Sequence, residues 1–294
     1  MLPNQTLNLS THSVTYDAID PKSALKNSAA DKVLFITGAS KGIGRSTAVA
    51  FAEAGAKAVY ITARNEDGLR ETQELVIQAN HQTACLYSVC DVTDARAVQA
   101  AVEDCAKQFG AIDIADANAG YLGSWVKIAE SDPDSWWRNW EVNMRGAYHV
   151  IRYTLPHLVT SAQQRGGGHL ILVSSVGAQL LMPGASDYQT SKHAINRLCE
   201  FVQADHGEDG IKCFAIHPGG VATDIGKQMP EFLQEFLTEE PELAANFAVW
   251  LCSGKADWAR GRYLSATWDV DQLLSLKDEI LRDDLLVNRL RGNG

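Results

Sequence analysis

The sequence has no excess of positive charge, and this absence excludes one large class of partner. It contains 26 Lys and Arg residues against 36 Asp and Glu residues, which gives a formal net charge of -10. A protein that binds nucleic acid needs a basic face to neutralise phosphates. We therefore expect no nucleic-acid partner. Any phosphate bound here must be held by local positive side chains and backbone N–H groups.

Long apolar runs are also missing. A membrane-spanning helix needs a run of roughly 18 or more apolar residues, and the sequence contains none. The N-terminus, MLPNQTLNLSTHS, is polar and lacks the apolar centre of a secretory signal. These absences predict a cytoplasmic protein with no membrane contact.

Cysteine pairs at metal-binding or redox spacing are absent as well. The six cysteines are scattered, with no C-x-x-C pair, which is typical of reduced thiols in a cytosolic protein rather than of a disulfide framework or a zinc site. The eight histidines show no ligand spacing with acids or thiols. We therefore expect no metal.

A regular alternation of apolar strands and helices begins after about residue 30. The expected strands cover 33–37, 58–62, 85–89, 112–117, 169–174, 212–217 and 262–266, and the expected helices cover 42–55, 66–79, 97–109, 133–163, 187–205 and 241–252. Strands that alternate with helices at this spacing indicate right-handed crossovers and a parallel sheet covered on both faces.

The predicted fold is therefore a single α/β domain with a doubly wound, Rossmann-like parallel sheet. We expect an N-terminal arm over residues 1–30, extended or flexible, and a dinucleotide-binding catalytic domain over 31–270. The amphipathic segment 271–294 is expected to form a helical tail.

A glycine-rich turn, TGASKGIG, follows the first strand and opens a helix. Glycines at such a turn let the backbone approach a pyrophosphate, and the helix N-terminus offers N–H groups and a positive dipole end. This context predicts dinucleotide binding. The candidate binding residues in the turn are Gly38, Ser40, Lys41, Gly42, Ile43 and Gly44.

The end of the second strand bears on the choice between NAD and NADP. An acidic residue about 20 positions after the glycines would bind the ribose 2′-OH, whereas an arginine suits a 2′-phosphate. Arg64 occupies this position, and Lys41 adds a second positive charge. We predict NADP (NADPH) as the cofactor, with a solvated strand-end arginine as the alternative.

Several motifs together resemble those of the short-chain dehydrogenase/reductase family, in its soluble single-domain branch. The turn has that branch's T-G-x-x-x-G-I-G spacing, and Asn, Ser, Tyr and Lys follow in the order and spacing of the family's catalytic tetrad. The resemblance implies catalytic roles for Asn143, Ser175, Tyr188 and Lys192. It implies cofactor contacts, besides the glycine turn and Arg64, at Asp91, Val92, Asn118, Ala119, Gly120, Tyr188, Lys192, Pro218, Gly219, Val221 and Thr223.

The chemistry of a hydride transfer requires these residue types. A ketone that accepts hydride develops negative charge on its oxygen, and a positioned acid must supply a proton. The phenol of Tyr188 is a poor acid near neutrality, so we expect the ammonium of Lys192, four residues later on the same helix face, to lower its pKa. Ser175 is expected to hydrogen-bond the substrate oxygen, with Ser174 as its competitor. Asn143 is expected to link Lys192 to solvent through a water.

The segments expected to contact the substrate are mostly apolar and aromatic. They are 121–125, 176–187 and the region after Thr223, and the first two contain no Lys or Arg. We therefore expect a small, apolar ketone or its alcohol as substrate. The ending GRYLSATWDVDQLL departs from many bacterial relatives and is similar to fungal members, some of which reduce ketones in secondary metabolism. The resemblance implies a homo-oligomer, a dimer or a tetramer.

Two other functions stay open at this point. The first is a catalytically idle dinucleotide-binding module, which would need none of the four tetrad residues. The second is a non-redox biosynthetic enzyme on the same scaffold. Product analysis with and without reduced cofactor distinguishes these functions from a reductase.

Overall fold

The sheet is the centre of the fold. The computed structural model describes residues 7–290, so the expected arm and tail extend outside the described residues at 1–6 and 291–294. Seven parallel strands form one sheet in the order β3-β2-β1-β4-β5-β6-β7. They are β1 Val33–Thr37, β2 Ala58–Ala63, β3 Ala84–Val89, β4 Ile114–Ala117, β5 His169–Val173, β6 Lys212–His217 and β7 Arg262–Ser265.

Helices connect successive strands and cover both faces of the sheet. They are α1 Gly42–Glu53, α2 Glu66–Ala79, α3 Ala95–Phe109, α4 Pro133–Trp140, α5 Ala147–Arg165, α6 Ser186–His206, α7 Glu231–Gln234, α8 Pro241–Cys252, α9 Val270–Ser275 and α10 Lys277–Arg282. The predicted doubly wound, Rossmann-like fold is confirmed.

The sequence of the inner strands explains why they lie at the centre. Every residue of β1 and β2 is buried, as expected for apolar strands with helices on both faces. One core layer packs α1 and α8 against the sheet through Phe51, Phe247 and Trp250. The other layer includes Val102 of α3 and Ile195 of α6.

The predicted single helix over 133–163 is two helices joined by a π-helical turn. The turn spans Glu141–Gly146, between α4 and α5. Such turns insert one extra residue and are frequent at functional sites. This turn carries Asn143 and changes the direction in which its side chain points relative to a continuous α-helix.

The N-terminal segment packs against the body. Ile19 and Leu25 are at most 1% exposed and belong to the same core layer as α8. The backbone N–H of Glu240 donates to the Ser13 carbonyl, and Thr11 pairs with Trp268 in an isolated antiparallel bridge. The sequence predicted an extended or flexible segment because its few apolar residues show no periodicity. These residues are buried individually instead.

The C-terminal segment is helical only in part. After α9 and α10 the chain has no helix up to residue 290, and it returns to the body. The Tyr263 N–H donates to the Leu286 carbonyl, and the Arg197 guanidinium donates to the Asn288 carbonyl. Within residues 7–290, no helix combines the length and apolarity needed to cross a bilayer.

Residues 7–290 contain neither a disulfide bond nor a cluster of metal ligands. All six cysteines are free and buried. Among residues 7–290, no group of three or more His, Cys, Asp or Glu side chains is arranged to hold a metal ion.

Asp116 is an unusual residue for the middle of an apolar sheet. It lies on β4, is 1% exposed, and its Oδ1 has no hydrogen-bond partner among the described residues. Burial raises the pKa of this carboxyl to about 8. Between the ordinary pKa of an aspartate and about pH 8, the folded protein therefore keeps a proton on Asp116 that the unfolded chain releases.

This burial makes stability depend on pH in a direction opposite to that of a paired carboxylate. Because the folded pKa is raised, stability falls as pH rises from the ordinary range of an aspartate towards about 8. Asp116→Asn cannot ionise. We subtract the free energy of unfolding of the parent protein from that of Asp116→Asn. This difference should be larger at about pH 8 than at about pH 5, by at least about 1 kcal/mol. Urea unfolding at the two pH values measures this difference.

Asp113 provides the control for this prediction. It is fully buried, but its carboxylate accepts hydrogen bonds from the Val33 N–H at 2.8 Å and from Arg165 Nε at 3.1 Å. Asp113→Asn should lower the free energy of unfolding at both pH values, because it weakens a satisfied network. An Asp116→Asn variant with the same pH dependence as the parent protein would contradict the prediction.

Candidate functional site

The loops at the carboxyl edge of the sheet hold all the predicted site residues outside the helices. In a parallel sheet these loops converge at one edge, next to the point where the strand order reverses between β1 and β4. The glycine turn after β1 and the Asn118–Gly120 loop after β4 are therefore neighbours.

The glycine turn packs tightly against the loop after β4. Gly38 has a φ of 69° and Gly42 a φ of 55°, a backbone region that favours glycine. A Cβ atom on Gly38 would lie 2.8 Å from Ala119 Cα. Asn118 Nδ2 donates to the Thr37 carbonyl at 2.8 Å and the Gly38 carbonyl at 3.2 Å. These contacts hold the two loops against each other.

The first turn of α1 leaves its N–H groups without a side-chain cap. Lys41 precedes the helix and makes no capping hydrogen bond, and Ser40, Ile43 and Gly44 complete the turn. Unpartnered N–H groups at a helix N-terminus form a site for an anion. The residues present fit the pyrophosphate of a dinucleotide.

The two predicted phosphate-binding cations are both exposed at this edge. Lys41 Nζ forms an ion pair with Asp224, which lies beyond β6. Arg64 follows the last residue of β2 and makes no ion pair with any described residue. Asp224 was not expected from the sequence, because the two residues are far apart in the chain.

Asp91 and Val92 lie at the end of β3, close to Arg64. Burial would raise the pKa of Asp91, but hydrogen bonds from Thr93 and the charges of Arg138 and Arg64 outweigh it and hold this pKa below the usual range. Val92 is buried, and its carbonyl contacts His149 Nδ1 at 2.8 Å. Asp91 and Val92 are therefore each held in place by contacts of their own.

The loop after β6 is held by a carboxylate. Glu239 Oε2 accepts a hydrogen bond from the Gly220 N–H at 2.7 Å, and the backbone of Val221 pairs with that of Glu239. Pro218 is buried and Gly219 has a φ of 97°. Glu239 therefore fixes the course of the loop that the sequence predicts to border the nicotinamide.

Thr223 brings the loop after β6 to the glycine turn. Its Cγ2 would be 3.0 Å from a Cβ on Gly42. Its hydroxyl accepts a hydrogen bond from the Gly226 N–H at 3.2 Å. The glycine turn and the loop after β6, which both carry predicted cofactor residues, are therefore in contact.

The two neighbouring serines have different surroundings. Ser174 is 1% exposed, and its hydroxyl donates to the Lys192 carbonyl inside the structure. Ser175 is partly exposed, begins a short 3₁₀ turn over Val176–Gln179, and forms a hydrogen bond with Tyr188. Ser175, the serine that the sequence favours for the substrate contact, is therefore the more exposed of the two.

Tyr188 and Lys192 lie one turn apart on α6. Lys192 Nζ is 5.8 Å from the centre of the Tyr188 ring and donates to the Val173 carbonyl at 2.8 Å. Burial lowers the pKa of Lys192 to about 8. Burial raises the pKa of Tyr188, and the hydrogen bond with Ser175 offsets part of this rise. The expected net lowering of the Tyr188 pKa by Lys192 is therefore wrong for this geometry, because desolvation outweighs the other effects.

Asn143 is the most extensively bonded residue of the four. Its Oδ1 accepts from the Tyr121 N–H at 2.8 Å, and its Nδ2 donates to the Tyr121 carbonyl at 2.9 Å. The same Nδ2 lies 3.1 Å from Ser191 Oγ and from Asn139 Oδ1. A Cβ on Gly120 would be 3.6 Å from Asn143 Oδ1 and 3.7 Å from Lys192 Nζ, so the loop after β4 joins the two helices.

Sequence reasoning did not identify several polar residues of this site. Asn139 lies four residues before Asn143 on one helical stretch, and Asp187 directly precedes Tyr188, so both positions had a spacing signal. Asp224 and Glu239 had none, since only the folded chain brings them to Lys41 and Gly220.

A protein-family model matches most of the chain. The family model described as short chain dehydrogenase matches residues 32–234. The short chain dehydrogenase mpl6 of Monascus purpureus is 42% identical over 283 residues, which cover 95% of this chain and 94% of that protein. The short chain dehydrogenase pigC of Monascus ruber is 40% identical over 284 residues, covering 94% and 90%.

Solved structures give the same grouping. The crystal structure of levodione reductase has a TM-score of 0.75 and 26% identity, and the similarity covers 81% of this chain and 96% of that one. The structure of 7α-hydroxysteroid dehydrogenase complexed with NADH and 7-oxo glycochenodeoxycholic acid has a TM-score of 0.74 and 26% identity, covering 85% and 96%. From the matched family model and the identity over nearly the whole chain, this protein belongs to the short-chain dehydrogenase/reductase family of oxidoreductases and is similar to fungal members.

Proposed function

We propose that this protein is an NADP-dependent oxidoreductase that transfers a hydride between NADPH and a ketone or secondary alcohol. The observation that carries the proposal is the convergence of four groups beside the glycine turn. Asn143 and Lys192 flank Gly120, and the Tyr188 phenol is hydrogen-bonded to Ser175. A protein that only binds a dinucleotide needs none of these side chains.

The cleft suits a dinucleotide for reasons independent of the four groups. The uncapped N-terminus of α1 provides N–H groups for a pyrophosphate, and Gly38 and Gly42 leave no side chain in its way. The loop after β6, held by Glu239, borders the same cleft opposite the glycine turn.

Arg64 and Lys41 support NADP rather than NAD. Both side chains are exposed at the end of the cleft where a ribose 2′-phosphate would lie. Lys41 is engaged with Asp224, so it would exchange a carboxylate for a phosphate. Both side chains are exposed, so solvent screens their attraction and this exchange costs little.

Tyr188 is the proposed proton donor in reduction and the proton acceptor in oxidation. The bound dinucleotide supplies or accepts the hydride. The Tyr188 hydroxyl gives its proton to the carbonyl oxygen as negative charge develops there. The Ser175 hydroxyl, which already contacts the phenol, donates a hydrogen bond to the same oxygen and orients it.

Lys192 and Asn143 are proposed to resupply this proton. A Lys192 pKa of about 8 leaves the amine protonated near neutrality but able to release a proton readily. Its ammonium is held by the Val173 carbonyl on the side of α6 that faces Asn143. The charge of Lys192 also favours the phenolate that forms during turnover.

The side chains around the open face support an apolar substrate. Leu181 is 99% exposed, Phe236 64% and Phe232 62%, and all three lie on the segments that the sequence predicts to contact the substrate. The loops that carry the site are tied together, since Trp125 Nε1 donates to the Pro183 carbonyl at 2.9 Å. An uncharged ketone suits this surface, and the similarity to fungal chains supports a substrate of secondary metabolism.

Replacing the phenol alone should separate chemistry from binding. Tyr188→Phe removes the proton donor but keeps the ring, so reduction of a panel of aliphatic and aryl ketones by NADPH should fall by about 10²- to 10⁴-fold. Its Kd for NADPH, followed by quenching of tryptophan fluorescence, should stay within about twofold of that of the parent protein. Tyr148→Phe, which alters an exposed tyrosine on α5, is the matched control and should be unaffected.

Retained turnover in Tyr188→Phe would overturn the role of the phenol. Product formation from the same ketones without reduced cofactor would overturn the redox reaction itself and favour a non-redox enzyme.

The cofactor preference is tested by removing the two cations. Arg64→Ala and Lys41→Ala should each weaken NADPH binding by about tenfold or more, because each removes a charge-assisted contact to the 2′-phosphate. NADH binding should change by less than about twofold. Lys107→Ala, in the last turn of α3 at the opposite edge of the sheet, changes the charge equally and should affect neither cofactor.

Equal binding of NADPH and NADH by the parent protein would contradict the NADP assignment without affecting the reductase proposal. Binding of neither dinucleotide would contradict both.

A further inference from the structure

A buried chain of hydrogen bonds connects the residue before Tyr188 to Asn143. Asn139 is fully buried on α4, and Asp187, in the first turn of α6, is 5% exposed. Asn139 Nδ2 donates to Asp187 Oδ2, and Asn143 Nδ2 donates to Asn139 Oδ1 at 3.1 Å. Asp187 Oδ1 accepts the backbone N–H of Tyr188 at 2.7 Å.

We propose that Asn139 and Asp187 form a positioning pair that sets the orientation of the Asn143 amide and joins it to the helical turn that carries Tyr188. The proposal rests on the function proposed above, since it concerns the same reaction. Neither residue touches the reacting atoms. Asn139 acts through Asn143, and Asp187 acts through Asn139 and the backbone N–H of Tyr188.

The direction of the hydrogen bonds gives the pair its effect. An ionised carboxylate can only accept, so the Asn139 amide must turn its NH₂ group towards Asp187 and its oxygen towards Asn143. Asn143 must then present its NH₂ group to Asn139 and its own oxygen to the Tyr121 N–H. One charge at Asp187 thus determines the orientation of the Asn139 amide, which places its oxygen to accept from Asn143 and so reinforces the orientation that the Tyr121 backbone gives Asn143.

A glycine leaves the space that the side chains of Asn139 and Asp187 occupy. Gly123 lies against both side chains, and a Cβ atom there would be 2.7 Å from Asn139 Nδ2 and 2.8 Å from Asp187 Oδ2. An alanine would therefore push the pair apart without removing a polar atom. Gly123 belongs to the loop after β4, so three segments of the chain meet at this pair.

The charge is placed where the helix favours it. Asp187 occupies the first turn of α6, and the positive end of a helix dipole stabilises a carboxylate there. Burial acts the other way and raises the pKa of Asp187, while the Tyr188 N–H and the Asn139 amide act to lower it. Without Asn139 the carboxylate would lose its only side-chain donor among the described residues.

The test compares single and double replacements. Asn139→Leu should lower kcat for an apolar ketone by about 10- to 100-fold, the loss typical of a misplaced reacting group. KM for the ketone and Kd for NADPH should stay within about twofold. The matched control is Asn246→Leu, which removes a buried asparagine of α8 that bonds Thr15, far from the pair, and it should leave kcat unchanged.

The double replacement separates positioning from stability. Asn139→Leu alone leaves a buried carboxylate unpaired, whereas Asn139→Leu with Asp187→Ala removes both partners and should recover most of the lost stability in urea unfolding. We expect kcat to remain low in the double variant, because Asn143 still lacks the acceptor on residue 139 that ties it to the helical turn of Tyr188. Recovery of kcat together with stability would overturn the proposal.

A second variant and a structural measurement cover the cases of poor folding and of an inactive parent protein. Gly123→Ala should lower kcat in the same way while keeping all polar groups. In crystal structures of Gly123→Ala and Asn139→Leu, the contacts of Asn143 with the Tyr121 backbone should lengthen beyond hydrogen-bond distance. Unchanged contacts would overturn the positioning role whatever the reaction is, whereas a parent protein inactive on every ketone would overturn only the proposed function.

Discussion

The close approach of two loops at the carboxyl edge of the sheet is the constraint on which the site depends. Parallel pairing of β1 with β4 brings the end of each strand to the same level, and the contact between Gly38 and Ala119 leaves no room for a side chain. Asn118 then bonds the carbonyls of the glycine turn. The glycine turn and the loop that reaches Asn143 and Lys192 are consequently joined by direct contacts.

Polar groups buried around this unit are mostly satisfied, and their partners explain their positions. Asn143 is held by the Tyr121 backbone, and the loop after β6 is held by Glu239. Among residues 7–290, Asp116, Asn196 and His217 are among the exceptions, and Asp116 has an unpartnered oxygen in the apolar sheet. Burial of this carboxyl among apolar strands raises its pKa to about 8.

The N-terminal segment precedes the region that the family model matches. It contacts the C-terminal part of the chain and the segment beside the loop after β6. Its backbone pairs with Trp268, and Ser13 holds Glu240, the neighbour of the residue that holds the loop after β6. The surface around the open face combines this fixed loop with exposed apolar side chains such as Phe232 and Phe236. These exposed apolar side chains support the proposal of an uncharged carbonyl substrate.

The sequence by itself determined the sheet, the order of its helices and the four proposed reacting residues, because apolar periodicity and short motifs are local. Strand β1 and helix α2 have the bounds that the pattern predicted. The tertiary structure decided what depends on distant neighbours. It shows the π-helical turn at Asn143, the packing of Ile19 under α8 and the pairing of Lys41 with Asp224. It also reversed the expected pKa shift of Tyr188, since desolvation is set by everything packed around a group and not by the residues beside it in the chain.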